Sequence, residues 1–144
     1  MSNIERPKVG IGLLVVKGNS ILLGERKSSH GQGEFGGPGG HLELFESFED
    51  CIMREFKEEV GDKMQIKNLG YLCTTNLMKY PPKHYVDIGM IAEWESGEPI
   101  VCEPDKLTSW EWYEIDKKLP GVAFGCLENY LEAFKTGRTY FKST

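Results

Sequence analysis

Between a glycine-rich stretch and a series of strand-like runs, residues 47–60 place an apolar side chain at every fourth position: Phe48, Ile52, Phe56 and Val60. That spacing lines all four along one stripe of an α-helix, and the stripe must be buried against another element. Ser47 stands where a side-chain oxygen caps the first turn, with Asp50 three residues on. Gly61 falls where a left-handed C-terminal cap belongs. A helix bounded in this way is stable only if the rest of the chain covers its apolar face.

The remaining runs are of the kind that builds a sheet. Residues 8–16 (KVGIGLLVV) and 20–26 (SILLGER) are expected as strands around a turn at Lys17-Gly18-Asn19. Residues 28–40 (SSHGQGEFGGPGG), with six Gly and a Pro, are expected as a loop, and residues 41–45 (HLELF) as a short strand. Further strands are expected at 66–77, 85–94 and 107–115, the first two parted by a loop at Lys79-Tyr80-Pro81-Pro82-Lys83. A second helix is expected over 123–136, with Phe124, Leu127, Leu131 and Phe134 on its inner face and Gly137 as its stop. Five or six strands with one central and one terminal helix give an α+β chain, an α/β/α sandwich around a mixed β-sheet. At 144 residues, a single domain over 1–144 is expected.

Several classes are excluded on simple grounds. No apolar run approaches the eighteen or so residues that cross a membrane, and the first seven residues lack the apolar stretch of a signal peptide. A net charge of -5 argues against a broadly basic nucleic-acid surface. Cys51, Cys73, Cys102 and Cys126 lie far apart, without a CxxC pair or a His at zinc spacing, as expected of core thiols in a reducing compartment. The expectation is a soluble cytoplasmic chain that engages neither a nucleic-acid polymer nor a membrane.

The acid excess is concentrated in one segment. Between Gly40 and Asp62 eight acids face only Arg54 and Lys57, a net -6, which leaves the rest of the chain at +1. Within that segment Glu55, Glu58 and Glu59 stand at i, i+3 and i+4, side by side on the shoulder of the apolar stripe. Three such neighbours repel one another, and a hard divalent cation relieves the conflict by accepting their oxygens. Arg54 is one turn before Glu58 and can pair with it; Glu46 either acts similarly from the preceding loop or simply favours the positive helix end. Gly36-Gly37-Pro38-Gly39-Gly40 lets the backbone approach a metal or a phosphate closely.

Gly40, Glu46, Arg54, Glu55, Glu58, Glu59 and Gly61 fill all seven fixed positions of G-x5-E-x7-R-E-U-x-E-E-x-G-U, with Phe56 in the first apolar slot and Asp62 in the last. The segment 40–62 thus resembles the Nudix box. The opening run Val9 through Arg26, His84-Tyr85-Val86, and Glu103-Pro104-Asp105-Lys106 with Trp110-Glu111-Trp112 are similar to the MutT-like branch of nucleoside and dihydroneopterin triphosphate pyrophosphatases. Gly36-Gly37 departs from the bulky Gln-Leu-like pair that helps to shape the base pocket in that branch.

The resemblance implies a Nudix α/β/α sandwich that uses Mg²⁺ or Mn²⁺ to hydrolyse a phosphoanhydride of a nucleoside triphosphate or related small molecule, giving a monophosphate and pyrophosphate. It implies the Gly39 carbonyl, Glu55, Glu58 and Glu59 as metal ligands, and Glu55 or Glu103 as the group that orients or deprotonates water. It implies Arg54 as the residue that positions a catalytic Glu, and Gly40, His41, Asp87, Phe124 and Gly125 as substrate contacts. Tyr80, Trp110 and Trp112 are further candidates for the base. It also allows a homodimer. A hydrolase of nucleoside diphosphate sugars such as ADP-ribose ranks lower, because the chain is compact and lacks the N-terminal extension those relatives often carry. A catalytically silent nucleotide-binding module has no need of three crowded acids. An EF-hand would require a D-x-D-x-D-G loop, which is absent.

Overall fold

The structure is a computed structural model and describes residues 3–143. Strand β1 (Lys8–Lys17) runs through the middle of one mixed sheet. It pairs parallel with β6 (Lys83–Ser96), from Lys8 opposite Tyr85 to Val16 opposite Glu93, and antiparallel with β2 (Ser20–Arg26). Outward from β2 lie β3 (Phe35–Gly36) and β7 (Leu107–Glu114), and outward from β6 lie β5 (Gln65–Tyr80) and the short β8 (Tyr140–Phe141). Strand β4 (Gly39–His41) adds a second antiparallel partner to β1.

Side chains alternate across a strand, so β1 feeds two cores. Ile11, Leu13 and Val15 pack with Ile52, Phe56 and Val60 of α1 (Phe48–Val60) and with Trp110. Leu14 packs on the other face with Ile21, Leu23, and Leu127, Tyr130 and Ala133 of α2 (Leu127–Thr136). The two helices therefore lie on opposite faces of the sheet, the three-layer arrangement expected. Ser47 caps α1 as expected, its hydroxyl accepting the Asp50 N–H at 3.0 Å. Three of the four free thiols are buried and Cys102 is exposed. No described helix is long and apolar enough to cross a membrane.

Several local expectations are corrected. Residues 28–40 are not loop throughout, since Phe35 and Gly36 pair with β2 and Gly39 and Gly40 pair with β1. Residues 41–45 do not form a strand. The β4 pairing ends at His41, the Leu42 N–H donates to Val9 O at 3.0 Å, and the Glu43 N–H is taken by the Glu46 side chain at 3.0 Å. The ladder thus gives way to a turn that leaves Leu44 and Phe45 almost wholly exposed, with Phe45 at φ 63°. The stripe of α1 reaches the sheet only from its second turn, where Cys51 joins it, and Phe48 stays exposed. Helix α2 begins at Leu127 rather than at 123, because residues 122–124 bond to Phe35 as a strand edge and Gly125 takes φ 62°. Its inner face is Leu127, Tyr130 and Ala133, and Phe134 is exposed. Gly61 closes α1 through its N–H to Lys57 O, but at φ 93°, ψ -174° rather than in the left-handed helical region; Gly137 does adopt that region.

The Tyr130 ring lies over two glycines. A Cβ at Gly89 would stand 2.6 Å from the ring, and one at Gly12 would overlap the hydroxyl. Gly89→Ala should therefore overpack this face and cost about 2 kcal/mol, a fall of roughly 6 °C in thermal midpoint. An unchanged melting curve would show that the ring moves freely.

Candidate active site

Helix α1 turns Glu55 and Glu59 toward a cavity of about 490 Å³, with the more exposed Glu58 also lining it. Arg54 organises this wall. Its Nε and Nη2 donate to Glu46 Oε2 and Oε1 at 2.7 and 3.0 Å, Nη1 donates to Glu55 Oε1 at 2.9 Å, and Nη2 reaches the His41 carbonyl at 3.0 Å. The fork holds the Glu46 carboxyl down at about 2 and pushes the Arg54 guanidinium up in turn. The expected Arg54–Glu58 pair is a long contact of 3.6 Å, and Glu58 is 56% exposed. Arg54 is thus committed to Glu46 and Glu55. The Glu55 carboxylate fills the space that a side chain at position 40 would occupy, so Gly40 is a steric requirement of its placement.

Glu59 is the most buried of the three acids. Its Oε1 accepts the Gly39 N–H at 3.0 Å, and the Trp110 indole N–H donates to its main-chain carbonyl at 3.1 Å. Burial pushes its carboxyl up to about 8, the Gly39 N–H works against that, and Glu55 and Glu103 add to it. A carboxyl raised in this way favours the folded state while it holds its proton. In metal-free protein that advantage is complete below about 4.5 and is lost as pH rises through about 8. With each pH unit between 4.5 and 8 costing about 1.4 kcal/mol, the expected loss is about 5 kcal/mol, or roughly 15 °C in thermal midpoint. Glu59→Gln cannot ionise and should melt above the parent at pH 9 in a chelator and level with it at pH 4. Parallel melting curves across this range would remove the burial argument.

The cavity also has a cationic and aromatic part. The Arg26 guanidinium lies 3.8 Å over the Phe124 ring and donates to His30 O at 3.1 Å and Ser28 Oγ at 3.2 Å. Tyr80 stacks near Phe124 with centroids 5.8 Å apart, His30 meets both rings edge-on, and the Gly125 N–H donates to the Tyr80 hydroxyl at 2.9 Å. Burial pushes both the Arg26 guanidinium and the His30 imidazole down. His41 stacks on Tyr85 at the mouth, with Nε2 3.3 Å from its hydroxyl. Glu103 lines the cavity with Lys106 bonded to it at 3.0 Å. On the floor, the Tyr130 hydroxyl donates to Asp87. Trp110 lines the cavity, whereas Trp112, two residues on along the same face of β7, does not reach it and lies beneath Lys17.

The structure thus gathers Gly39, Gly40, His41, Glu55, Glu58, Glu59, Asp87, Glu103, Phe124 and Gly125 around one cavity, with Arg54 just behind it. Of the glycine pair before Pro38, only Gly36 bears on the aromatic wall: its Cβ would stand 3.4 Å from Phe124, whereas a Cβ at Gly37 would meet Leu13 O at 2.6 Å. Arg26, His30, Lys83 and Tyr130 also line the cavity and were not expected. Arg26 reads as the end of a strand, and Tyr130 signals its place only through its i+3 spacing from Leu127. Among the described residues no three Asp, Glu, His or Cys side chains converge as a ready-made metal cluster. Glu55 and Glu59 are instead held by the protein's own donors, Arg54 and the Gly39 N–H. Their all-oxygen donor set nevertheless suits a hard dication, which favours the deprotonated form of a carboxyl that burial pushes up.

The sequence pattern of the NUDIX domain matches residues 6–125. The chain is 34% identical over 108 residues to the NAD-capped RNA hydrolase NudC of Pseudomonas aeruginosa, covering 75% of this chain and 36% of that protein. It is 35% identical over 128 residues to NudC of Pseudomonas syringae pv. syringae, covering 88% and 44%. It therefore spans less than half the length of these curated relatives. A MutT NUDIX hydrolase from Burkholderia pseudomallei superposes with a TM-score of 0.81 at 31% identity, over 90% of this chain and 98% of that one. The NUDIX domain of Shewanella oneidensis NrtR, solved with ADP ribose, shares the fold at a TM-score of 0.76 and 17% identity, over 92% and 88%. With the domain pattern running from residue 6 to 125 and a full-length structural match above 30% identity, the chain belongs to the Nudix hydrolase family.

Proposed function

We propose that the protein is a divalent-cation-dependent pyrophosphohydrolase that cleaves a phosphoanhydride of a nucleoside triphosphate or a related compound, releasing a monophosphate and pyrophosphate. The observation that carries this reading is the mixed lining of one cavity, which Glu55, Glu58 and Glu59 share with Arg26, Lys83 and the ring cluster around Phe124. An acidic wall alone suits a cation; an acidic wall joined by cations and aromatic rings suits a polyphosphate that carries a base.

Glu55, Glu58, Glu59 and the Gly39 carbonyl would hold Mg²⁺ or Mn²⁺, with Glu103 as a further donor. When bound, the cation supplies charge neutralisation and Lewis acidity to the phosphates. Glu55 orients the attacking water and accepts its proton. Its Oε1 is fixed by Arg54, whose other face is locked by Glu46, so Oε2 keeps one direction. Arg54 acts through Glu55 and touches no substrate. Arg26 and Lys83 attract the phosphates, and the backbone of Gly40 and His41 borders them. Tyr80, Phe124 and Gly125 bound the base side.

Cleavage of a nucleoside diphosphate linked to a second group is the second reading, favoured by the identity to NudC proteins. Products separate the two. With Mg²⁺, a panel of nucleoside triphosphates, dihydroneopterin triphosphate, ADP-ribose and NAD should yield pyrophosphate from a triphosphate. AMP from ADP-ribose or NAD alone would favour the second reading. Binding without product from any of them would mark a silent module.

A further inference from the structure

A second hollow, of about 390 Å³, adjoins the cavity, and Lys83 and Tyr85 line both. The rest of its lining comes from the segment that leads into β1, with Arg6, Pro7 and Lys8, and from the start of β6, with Pro82 and His84. Pairing holds these two segments together without using their charges. Lys8 stands opposite Tyr85 in the β1–β6 ladder, Tyr85 stacks on His41, and the Asn76 Oδ1 accepts a bond from His84 Nε2 at 2.6 Å.

The sign of this hollow is opposite to that of the chain. At a net charge of -5 the protein nevertheless gathers Arg6, Lys8 and Lys83 here against Glu5 alone. Among the described residues none of the three cations forms an ion pair, and Arg6 donates only a long bond of 3.4 Å to the Ile4 carbonyl. Unpaired cations in a concave surface concentrate the field there and draw anions. A cavity of about 490 Å³ suits one nucleotide, and the adjoining 390 Å³ is room for a comparable unit. A ligand that leaves the cavity past Lys83 and Tyr85 enters the second hollow. There it meets positive charge, an aromatic ring and two prolines. A second nucleotide, joined to the first through phosphate, answers all of these; a neutral sugar would leave the cations without a partner.

We propose that the hollow lined by Arg6, Lys8 and Lys83 is a second anion subsite, which holds the further, phosphate-linked nucleotide of an extended substrate whose reacting phosphates lie in the main cavity. This rests on the reading of that cavity as a phosphoanhydride-hydrolysing site, and it adds Arg6 and Lys8, which do not line that cavity. Two kinds of compound carry the required chemistry. In a dinucleoside tetraphosphate, water would add across one P–O–P bond to leave a nucleoside monophosphate and a nucleoside triphosphate. A 5′-triphosphorylated oligonucleotide would lose pyrophosphate and keep a 5′-monophosphate.

The test measures kcat and KM, with Mg²⁺ in excess, for the nucleoside triphosphate that the parent turns over best, the matching dinucleoside tetraphosphate, and a 5′-triphosphorylated tetranucleotide beginning with the same nucleoside. The parent is compared with Arg6→Glu/Lys8→Glu, both positions being exposed. The triphosphate should keep its kcat/KM within ~2-fold. At least one extended compound should show KM raised by ~10-fold or more at low salt with kcat unchanged, and ~0.5 M salt should narrow that gap. The compound with the larger shift identifies the source of the second nucleotide. If the charge reversal lowers the melting temperature, Arg6→Ala/Lys8→Ala should still give a smaller shift in the same direction. Equal losses on short and extended substrates, no loss on any, or a parent that cleaves the triphosphate and neither extended compound overturns the subsite while leaving the hydrolase intact. A parent that cleaves none of the three would sink the proposed function, and the subsite with it.

Discussion

Glu58→Gln should lower turnover of a triphosphate substrate by about 10²–10⁴-fold at saturating Mg²⁺, the range associated with a positioned acid or base, while leaving the melting curve in place. The structural half of this expectation follows from exposure. Glu58 is 56% exposed and its nearest charged contact is Arg54 at 3.6 Å, too long to anchor the helix. Surface pairs of that kind contribute little, so loss of the charge should move stability by less than about 0.5 kcal/mol. The catalytic half follows from what remains. Glu55 is tied to Arg54 and Glu59 to the Gly39 N–H, which leaves Glu58 as the helix acid that spends least on the protein's own donors. The amide keeps the shape and removes the charge that a hard cation requires. Near-normal turnover in this variant, with metal in excess, would take Glu58 out of the ligand set.

Residues close in sequence announced their roles well. The cap at Ser47 and Asp50, the stripe through Ile52, Phe56 and Val60, and the crowding of Glu55, Glu58 and Glu59 all follow from a 3.6-residue period read over one short segment. The family pattern then tied that segment to Gly39 and Gly40. What stayed hidden depends on tertiary pairing. The burial of Glu59 depends on Gly39, paired with Gly12 of β1, reaching its carboxylate, and nothing in the helix itself separates Glu59 from Glu58. Phe124 reads as the first residue of a helical face, yet its N–H is spent on Phe35, nearly ninety residues earlier, and the helix starts later. Arg26 and Tyr130 come from the end of a strand and the middle of a helix, and only the packing of both sheet faces brings them to one cavity. Asp87 was expected at the site, but its Tyr130 partner lies on α2, more than forty residues on in the chain.

Gly40→Ala should cost about 10²-fold in kcat with a loss of no more than about 1 kcal/mol in stability. The new Cβ would land on the Glu55 carboxylate, the far end of a flexible side chain, so the backbone can stay and the carboxylate must move. A displacement of that size is enough to spoil the placement of a water and its acceptor. Gly37→Ala supplies the contrast. Its Cβ would meet Leu13 O at 2.6 Å, a main-chain atom in the central strand, and the strain should appear chiefly as lost stability. The route through Glu55 is testable by combination. If Gly40 matters because it makes room for Glu55, then adding Gly40→Ala to Glu55→Gln should cost little beyond Glu55→Gln alone, since the group being displaced no longer accepts a proton. Two fully additive losses would mean that position 40 serves the reaction by a separate contact, with the phosphates or the cation, and that the packing of Glu55 against it is incidental.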